Sequence, residues 1–177
     1  MDDREVFVHA GCYSGDTQKS FRNWFGDQYE KMITFKPNEA QYAFCCDLFK
    51  DWRDVELVQA GLSDKTGTVR FDLDLPGLSF ISETGTEEIK TVSLDEYMNG
   101  GKVTFIALDI EGEEYKALRG AENIIRTQKP KLAISIYHKP EDMWELPELV
   151  KSFRPDYQLY LRHYHLLDMA ETVMYAF

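Results

Sequence analysis

The chain has 177 residues, 44% hydrophobic and 14% aromatic, which is enough apolar material for the core of one compact domain. Its 31 acidic and 20 basic side chains give a formal net charge of -11, which repels nucleic acid backbones and anionic membrane surfaces. No window approaches the roughly 20 apolar residues of a membrane helix, and the N-terminus has no leader-like pattern. We therefore expect a single cytoplasmic domain over residues 1–177, with neither nucleic acid nor membrane as a partner.

Cysteine use argues against a metal or a disulfide framework. Cys12, Cys45 and Cys46 are an odd number and form no CxxC pair, and no two histidines show the spacing of zinc ligands. We expect reduced thiols that pack as small apolar side chains, and no metal site.

The first half of the chain alternates short apolar runs with segments of helical period, which predicts βαβ units and a mostly parallel sheet. The three predicted strands are residues 5–10, 31–36 and 55–62. A helix opened by Asp16 or Thr17 follows the first strand, with Phe21, Trp24 and Phe25 on its inward face. A second helix begins around residues 37–39, and its inward side chains are Tyr42, Cys45, Leu48, Phe49 and Trp52.

Residues 63–97 lose the helical period and contain several glycine turns, so a β-hairpin and loop insertion is expected there. A fourth core strand at 102–110 leads into a helical stretch from Glu113 that Gly120 divides. The remaining predicted elements are a strand at 131–137, a helix at 143–153, and an antiparallel strand pair at 158–164 and 171–177. This order predicts an α/β protein with the Rossmann-like fold of class I methyltransferases, with helices on both faces of the sheet.

Ligands of such sheets bind beyond the carboxyl ends of the strands, where the strand order reverses. The loop at residues 10–16 carries Gly11 and Gly15 just before a helix, although its spacing differs from the dinucleotide fingerprint. A plain tight turn explains this loop equally well. The second strand ends at Lys36, where adenosine-binding folds usually place an acid.

Acids and a histidine follow the next two strands. Asp109 and Glu111 project to the same side while the backbone is extended, which favours a functional role. Glu113 and Glu114 have the ordinary alternative of complementing a helix dipole. His138 follows the fifth strand, where a general base would face the crevice, although a histidine bonded to a loop carbonyl is the alternative. The polar residues at 162–165 either contact substrate or are ordinary surface side chains before a tight turn.

Several ordered blocks of the sequence together resemble the FkbM family of S-adenosylmethionine-dependent methyltransferases. The 109–114 block, Asp-Ile-Glu-Gly-Glu-Glu, is the most specific of them. The other similar segments are residues 6–17, 35–38, 61–64 with Gly67, 92–97, 118–121, 138–142 and 171–177.

The resemblance implies methyl transfer from S-adenosylmethionine to a hydroxyl oxygen of a sugar, a natural product or a similar small molecule. It implies that the cofactor contacts His9, Ala10, Gly11, Cys12, Tyr13, Gly15, Asp16, Lys36, Pro37, Asn38, Leu62, Ser63 and Asp109. The expected catalytic residues are His138, Asp109 and Glu111, with His138 the preferred proton acceptor.

Two positions depart from the family pattern, because His9 and Lys36 stand where the first and second strands usually end in acids. The family also usually carries helices before the first strand, so the resemblance implies a minimal or shortened form. These departures motivate an alternative, a non-catalytic binding module with weakened cofactor affinity. A third hypothesis is an NADP site in which Lys36 pairs with the 2′-phosphate.

Overall fold

The computed structural model describes residues 4–26, 28–75, 78–81, 87–165 and 170–177. In chain order the strands are β1 (Val6–Ala10), β2 (Lys31–Phe35), β3 (Val55–Val58), β4 (Gly61–Leu62), β5 (Gly67–Leu75), β6 (Leu78–Ile81), β7 (Glu87–Val92), β8 (Phe105–Leu108), β9 (Lys131–Ser135), β10 (Leu159–His163) and β11 (Thr172–Ala176). The helices are α1 (Asp16–Phe25), α2 (Glu39–Phe49), α3 (Leu94–Met98), α4 (Glu114–Arg119), α5 (Glu122–Gln128) and α6 (Asp142–Phe153).

Seven strands form the main sheet in the order β10-β11-β9-β8-β1-β2-β3. The five strands from β9 to β3 are parallel, whereas β11 is antiparallel to both β9 and β10. The predicted parallel sheet with an antiparallel C-terminal pair is therefore confirmed.

Both faces of β1 are covered, which explains why its residues are continuously buried. Val8 and Ala10 pack in the larger core with β8, β9 and the later helices. Phe7 packs on the opposite face, where Phe21 of α1 stacks on it with ring centroids 4.3 Å apart. Trp24, which we had placed on this inward face, is 71% exposed and was wrongly assigned.

Residues 55–62, which the sequence predicts as one strand, form two strands that belong to two different sheets. The main-sheet strand β3 ends at Val58, because the Ala60 N–H donates to the Val58 carbonyl and turns the chain. The next strand, β4, joins β7, β5 and β6 in a second, four-stranded sheet.

The predicted insertion at 63–97 contains most of that second sheet and also a helix that the sequence did not indicate. Helix α3 spans only five residues, too few to display a helical period, and Ser93 caps it by accepting from the Glu96 N–H. The turn positions that we predicted at 76–77 and 83–85 lie outside the described residues. The predicted break at Gly120 is confirmed, since α4 ends before it and α5 begins after it. Within the described part of the chain, no helix is long and apolar enough to cross a membrane.

Candidate active site

The carboxyl ends of β1, β2, β8 and β9 meet at one edge of the main sheet, and the strand order reverses between β1 and β8. There Gly11 has φ +108°, and a Cβ at this position would lie 1.8 Å from the Asp109 carbonyl oxygen. Only glycine lets the loop after β1 approach the end of β8 so closely. The loop and Asp109 are thus neighbours, as the sequence predicts.

His138 lies beyond the end of β9 with its side chain only 9% exposed. Its Nδ1 is 3.0 Å from Oε1 of Glu114, a carboxylate that is completely buried in the first turn of α4. The same Oε1 accepts a 2.7 Å hydrogen bond from the Ile110 N–H, which fixes the carboxylate in place. The Nδ1 contact is not a well-directed hydrogen bond, and it is an ion pair only when His138 is protonated. Oε2 of Glu114 has no hydrogen-bond partner.

The other ring nitrogen of His138 faces two partly exposed carboxylates. Nε2 is 3.5 Å from Oδ1 of Asp109 and 3.7 Å from Oε2 of Glu111. Glu111 reaches this position from a left-handed backbone conformation, with φ +57°. The Tyr137 hydroxyl donates a 3.0 Å hydrogen bond to the same Asp109 oxygen, so one face of that carboxylate is occupied by the protein. The three residues that we predicted as catalytic are thus brought together.

These charges set the protonation of the histidine. Burial lowers the pKa of His138, but the carboxylate of Glu114, followed by those of Asp109 and Glu111, outweighs burial and leaves the pKa above its ordinary 6.5. Burial is the largest cause that raises the pKa of Glu111. Burial and the Asp109 charge raise the pKa of Tyr137, so its hydroxyl remains a donor.

The model of the methyltransferase FkbM domain matches residues 9–164. The chain belongs to this family. A crystal structure of methyltransferase FkbM from Methylobacillus flagellatus KT is 28% identical to it, with a TM-score of 0.83. That likeness covers 99% of this chain but only 44% of the other, so the chain spans less than half the length of that relative. No curated protein sequence matches the chain significantly.

Two further solved structures share the fold of this FkbM-family chain at lower identity. An rRNA methylase from Streptococcus thermophilus is 18% identical, covers 99% of this chain and 88% of its own, and has a TM-score of 0.59. Fibrillarin from Aeropyrum pernix, solved with natively bound S-adenosyl-L-methionine, is 12% identical, with coverages of 100% and 69% and a TM-score of 0.57. The predicted class I methyltransferase fold is confirmed.

His9 and Lys36, the two departures from the FkbM pattern, differ in their surroundings. His9 is buried, and its Nδ1 lies 2.7 Å from Nε2 of Gln18, a side chain of α1. Burial is the largest cause that lowers the pKa of His9 to about 4, so its ring is neutral near pH 7. Lys36 is half-buried, and burial lowers its pKa against the opposing pull of Cys12, Cys45, Glu111 and Asp109. Of His9 and Lys36, Lys36 is therefore the residue that carries a positive charge.

The remaining predicted cofactor residues of this family member fall into two groups. Tyr13 and Asp16 are exposed, whereas Ala10, Cys12, Gly15, Leu62 and Ser63 are buried. Asn38 uses its side chain to cap α2, accepting from the Gln41 N–H at 3.0 Å. A Cβ at Gly61 would lie 3.8 Å from Pro37, so the segments at 36–38 and 62–63 are neighbours. Cofactor contact by these residues stays a prediction.

One cluster could hold a cation, because Asp109, Glu114 and His138 each offer an atom within 4.8 Å of the others. The two nitrogens of His138, however, face different carboxylates, with Nδ1 toward Glu114 and Nε2 toward Asp109. We keep the expectation that this site binds no metal.

A groove of about 410 Å³ lies between α1 and Trp52 and is lined by Lys19, Arg22, Asn23 and Gly26. The last turn of α1 and the residues before β3 lie at the amino ends of the strands. This groove is thus on the edge of the sheet opposite to His138, and the chemistry of the cluster makes the carboxyl edge the better candidate site.

Two residues of the site were not found from the sequence. Glu114 was assigned to a helix dipole, and its burial against His138 depends on a contact between α4 and the segment after β9 that no local pattern reveals. Tyr137 was included only as the end of a strand. Its place next to His138 in the sequence was the available signal. In the structure the two rings lie 4.2 Å apart at the sheet edge.

Proposed function

We propose that the chain is an S-adenosylmethionine-dependent methyltransferase that transfers a methyl group to a hydroxyl oxygen of a sugar or another small molecule. One observation carries the proposal. In a chain of the FkbM family, a buried Glu114 holds His138 so that Nε2 faces two partly exposed carboxylates at the reversal of strand order. This arrangement matches a general base with an orienting partner.

The residues at this edge fit the proposed cofactor in charge. S-adenosylmethionine supplies an electrophilic methyl group on a positively charged sulfonium, and it also carries an ammonium group. Asp109 and Glu111 are partly exposed carboxylates that favour such a ligand, and the close approach of Gly11 brings the loop after β1 to the same place. Lys36 opposes the fit, since its positive charge lies near both carboxylates.

Each residue then has a defined task. The loop from His9 to Asp16, with residues 36–38 and 62–63, would hold the cofactor, and Asp109 and Glu111 would face its methionine end. His138 would accept the proton of the acceptor hydroxyl at Nε2, and S-adenosylmethionine, when bound, would supply the methyl group to that oxygen. Glu114 holds the ring in place and stabilises the imidazolium that results. Positioning of this kind can contribute roughly 7–11 kcal/mol.

We propose a small-molecule acceptor and a single domain acting in the cytoplasm. The net charge of -11 repels a nucleic acid, which favours a small-molecule acceptor. The described cysteines are free thiols, which suits a reducing compartment.

The test is the release of S-adenosylhomocysteine when the chain is incubated with S-adenosylmethionine and a panel of sugars and polyols. Release that requires both an acceptor and the cofactor, and that is lost in Glu111→Ala, is the expected result. Full turnover in Glu111→Ala would show that Glu111 has no role in the mechanism. No release of S-adenosylhomocysteine with any acceptor would contradict the proposed methyltransferase activity.

A second function, a non-catalytic binding module, has one observation in its favour. Lys36 replaces an acid with a half-buried cation near the proposed cofactor, and such a charge disfavours a sulfonium. A thermal-shift assay separates the two functions, because a module without cofactor affinity shows no shift at millimolar S-adenosylmethionine. A fluorescence titration with NADPH tests the remaining alternative, in which Lys36 pairs with a phosphate.

A further inference from the structure

We infer that Cys12 and Cys45 form a redox site, in which a reversible disulfide joins the loop after β1 to helix α2. We call these two residues the thiol pair. Their Sγ atoms are 3.0 Å apart, although the residues are 33 positions apart in the chain. Both are free thiols, and both side chains are buried, at 1% and 0% exposure.

The surrounding contacts bring the two sulfur atoms together without a change in the fold. Cys12 follows β1, and Cys45 lies in the middle of α2 and faces inward. Gly15 ends the same loop, and a Cβ there would lie 2.5 Å from Cδ2 of Leu48, so the loop packs directly on α2. Because a disulfide has a sulfur–sulfur distance of about 2.05 Å, the two sulfurs need to approach by only about 1 Å.

The electrostatics give the two thiols different roles. A hydrogen bond from the Cys45 thiol is the largest cause that lowers the pKa of Cys12, and the Gly15 N–H and the Lys36 charge act in the same direction. The pKa of Cys45 is raised by the same contact. Because the thiolate is the nucleophile, Cys12 is the thiol that reacts first and Cys45 is the thiol that resolves the product.

The oxidant we propose is hydrogen peroxide. The Cys12 thiol gives up its proton, its thiolate attacks one peroxide oxygen, and the O–O bond breaks. The hydroxide that leaves takes that proton to form one water, and Cys12 becomes a sulfenic acid. The Cys45 sulfur then attacks the Cys12 sulfur, which expels hydroxide, and the hydroxide takes the Cys45 proton to form a second water. The two thiols together lose two electrons, which the peroxide accepts.

The loop that carries Cys12 runs along the surface, since Tyr13, the next residue, is 77% exposed. The third cysteine, Cys46, supplies a matched control, because it is half-buried and contacts Tyr42 instead of Cys12.

The experiment oxidises the folded chain with about one equivalent of hydrogen peroxide, followed by intact mass, peptide mapping and thermal unfolding. We expect a loss of about 2 Da and a cross-linked peptide pair containing Cys12 and Cys45, both reversed by dithiothreitol. The closed loop restricts the unfolded chain, so the Tm should rise by roughly 5–15 °C.

Variants make the assignment specific. Cys46→Ala should form the cross-link as the unchanged chain does, whereas Cys12→Ala and Cys45→Ala should not. Three thiols that still react with a thiol reagent after peroxide would overturn the inference. A disulfide that contains Cys46, or oxidation to sulfinic acid without a cross-link, would overturn it too. Peptide mapping of the unchanged chain decides the question even where a variant fails to fold. None of these readouts depends on methyl transfer, so their failure is distinguishable from failure of the proposed function.

Discussion

Oε1 of Glu114 and Nδ1 of His138 lie 3.0 Å apart, and this contact joins the first turn of α4 to the segment after β9. The buried carboxylate raises the pKa of the imidazole and leaves its Nε2 toward the open side of the site. The function of the site therefore depends on a residue that would touch neither substrate nor cofactor.

Glu114→Gln tests this positioning role. His138 must be neutral to accept a proton, so activity should rise as pH increases through the pKa of His138, which lies above 6.5. Removal of the Glu114 charge lowers that pKa, so the acid limb of the profile of kcat/KM against pH should move to lower pH. The plateau rate should also fall by about 10–100-fold, as is typical when an orienting partner is lost.

Glu113→Gln is the matched control for that variant, because Glu113 pairs with Lys116 on the helix and not with His138. Its pH profile should equal that of the unchanged chain. An acid limb that stays in place in Glu114→Gln, or that moves equally in both variants, would contradict the role of Glu114.

His138→Asn should remove the proton acceptor while leaving the cofactor site intact. Loss of a general base typically costs 10²–10⁴-fold in rate, and we expect a fall of about this size in S-adenosylhomocysteine release. S-adenosylmethionine affinity, measured by calorimetry, should change by less than about threefold. An unchanged rate would mean that Asp109 or Glu111, and not His138, accepts the proton.

His9 makes stability depend on pH in a defined direction. The folded pKa of about 4 is below the ordinary 6.5, so the folded state binds fewer protons between these values. Stability is fully present above pH 6.5 and is lost as the pH falls toward 4, by about 3 kcal/mol in total. Urea unfolding of His9→Asn across this range should show a much weaker acid dependence.

The exposed His163 provides the comparison for the stability experiment. His163→Asn should retain the acid dependence of the unchanged chain. If His9→Asn also retains the full dependence, the source of the acid lability lies in another group.

The charge at the end of β2 should limit cofactor affinity. His9→Asp together with Lys36→Glu should tighten S-adenosylmethionine binding at least about tenfold, or roughly 1.4 kcal/mol, because a carboxylate accepts a charge-assisted hydrogen bond from the cofactor. Lys36→Glu alone should give most of this gain, since His9 is already neutral. Titration calorimetry with variants that are shown to be folded measures it, and equal affinities would mean that other residues hold the cofactor.

Metal removal should leave methyl transfer unchanged. Nδ1 and Nε2 of His138 face different carboxylates, so we expect a proton and not an ion between these groups. Turnover should be the same in EDTA and in added manganese. A loss in EDTA that manganese restores would assign the cluster at Asp109, Glu114 and His138 to a metal.

How much the sequence predicts depends on how local the determining contacts are. The strands of the main sheet and their mostly parallel arrangement follow from the repeated apolar runs. The grouping of Asp109, Glu111 and His138 follows from the rule that the carboxyl ends of parallel strands meet. The division of residues 55–62 between two sheets depends on one backbone turn at Ala60, which has no composition signal.

Side-chain environments required the fold itself. A histidine at the end of β1 suggests a charge near the ligand, but Gln18 of α1 and burial make His9 a neutral core residue. Glu114 looks like an exposed residue at a helix start, because its burial depends on a distant part of the chain, the segment after β9 that carries His138. Cys12 and Cys45 show no spacing motif, since their contact joins a loop to a separate helix.

The proposed function requires that this chain binds S-adenosylmethionine at the carboxyl edge of its sheet. Isothermal titration calorimetry of the folded chain with S-adenosylmethionine, and separately with S-adenosylhomocysteine, tests this binding before any acceptor is known. We expect both ligands to bind at one site with a Kd below about 1 mM, or more than about 4 kcal/mol of binding free energy, and Lys36→Glu to tighten S-adenosylmethionine binding. No heat from either ligand at millimolar concentration, in the unchanged chain and in Lys36→Glu, would contradict it.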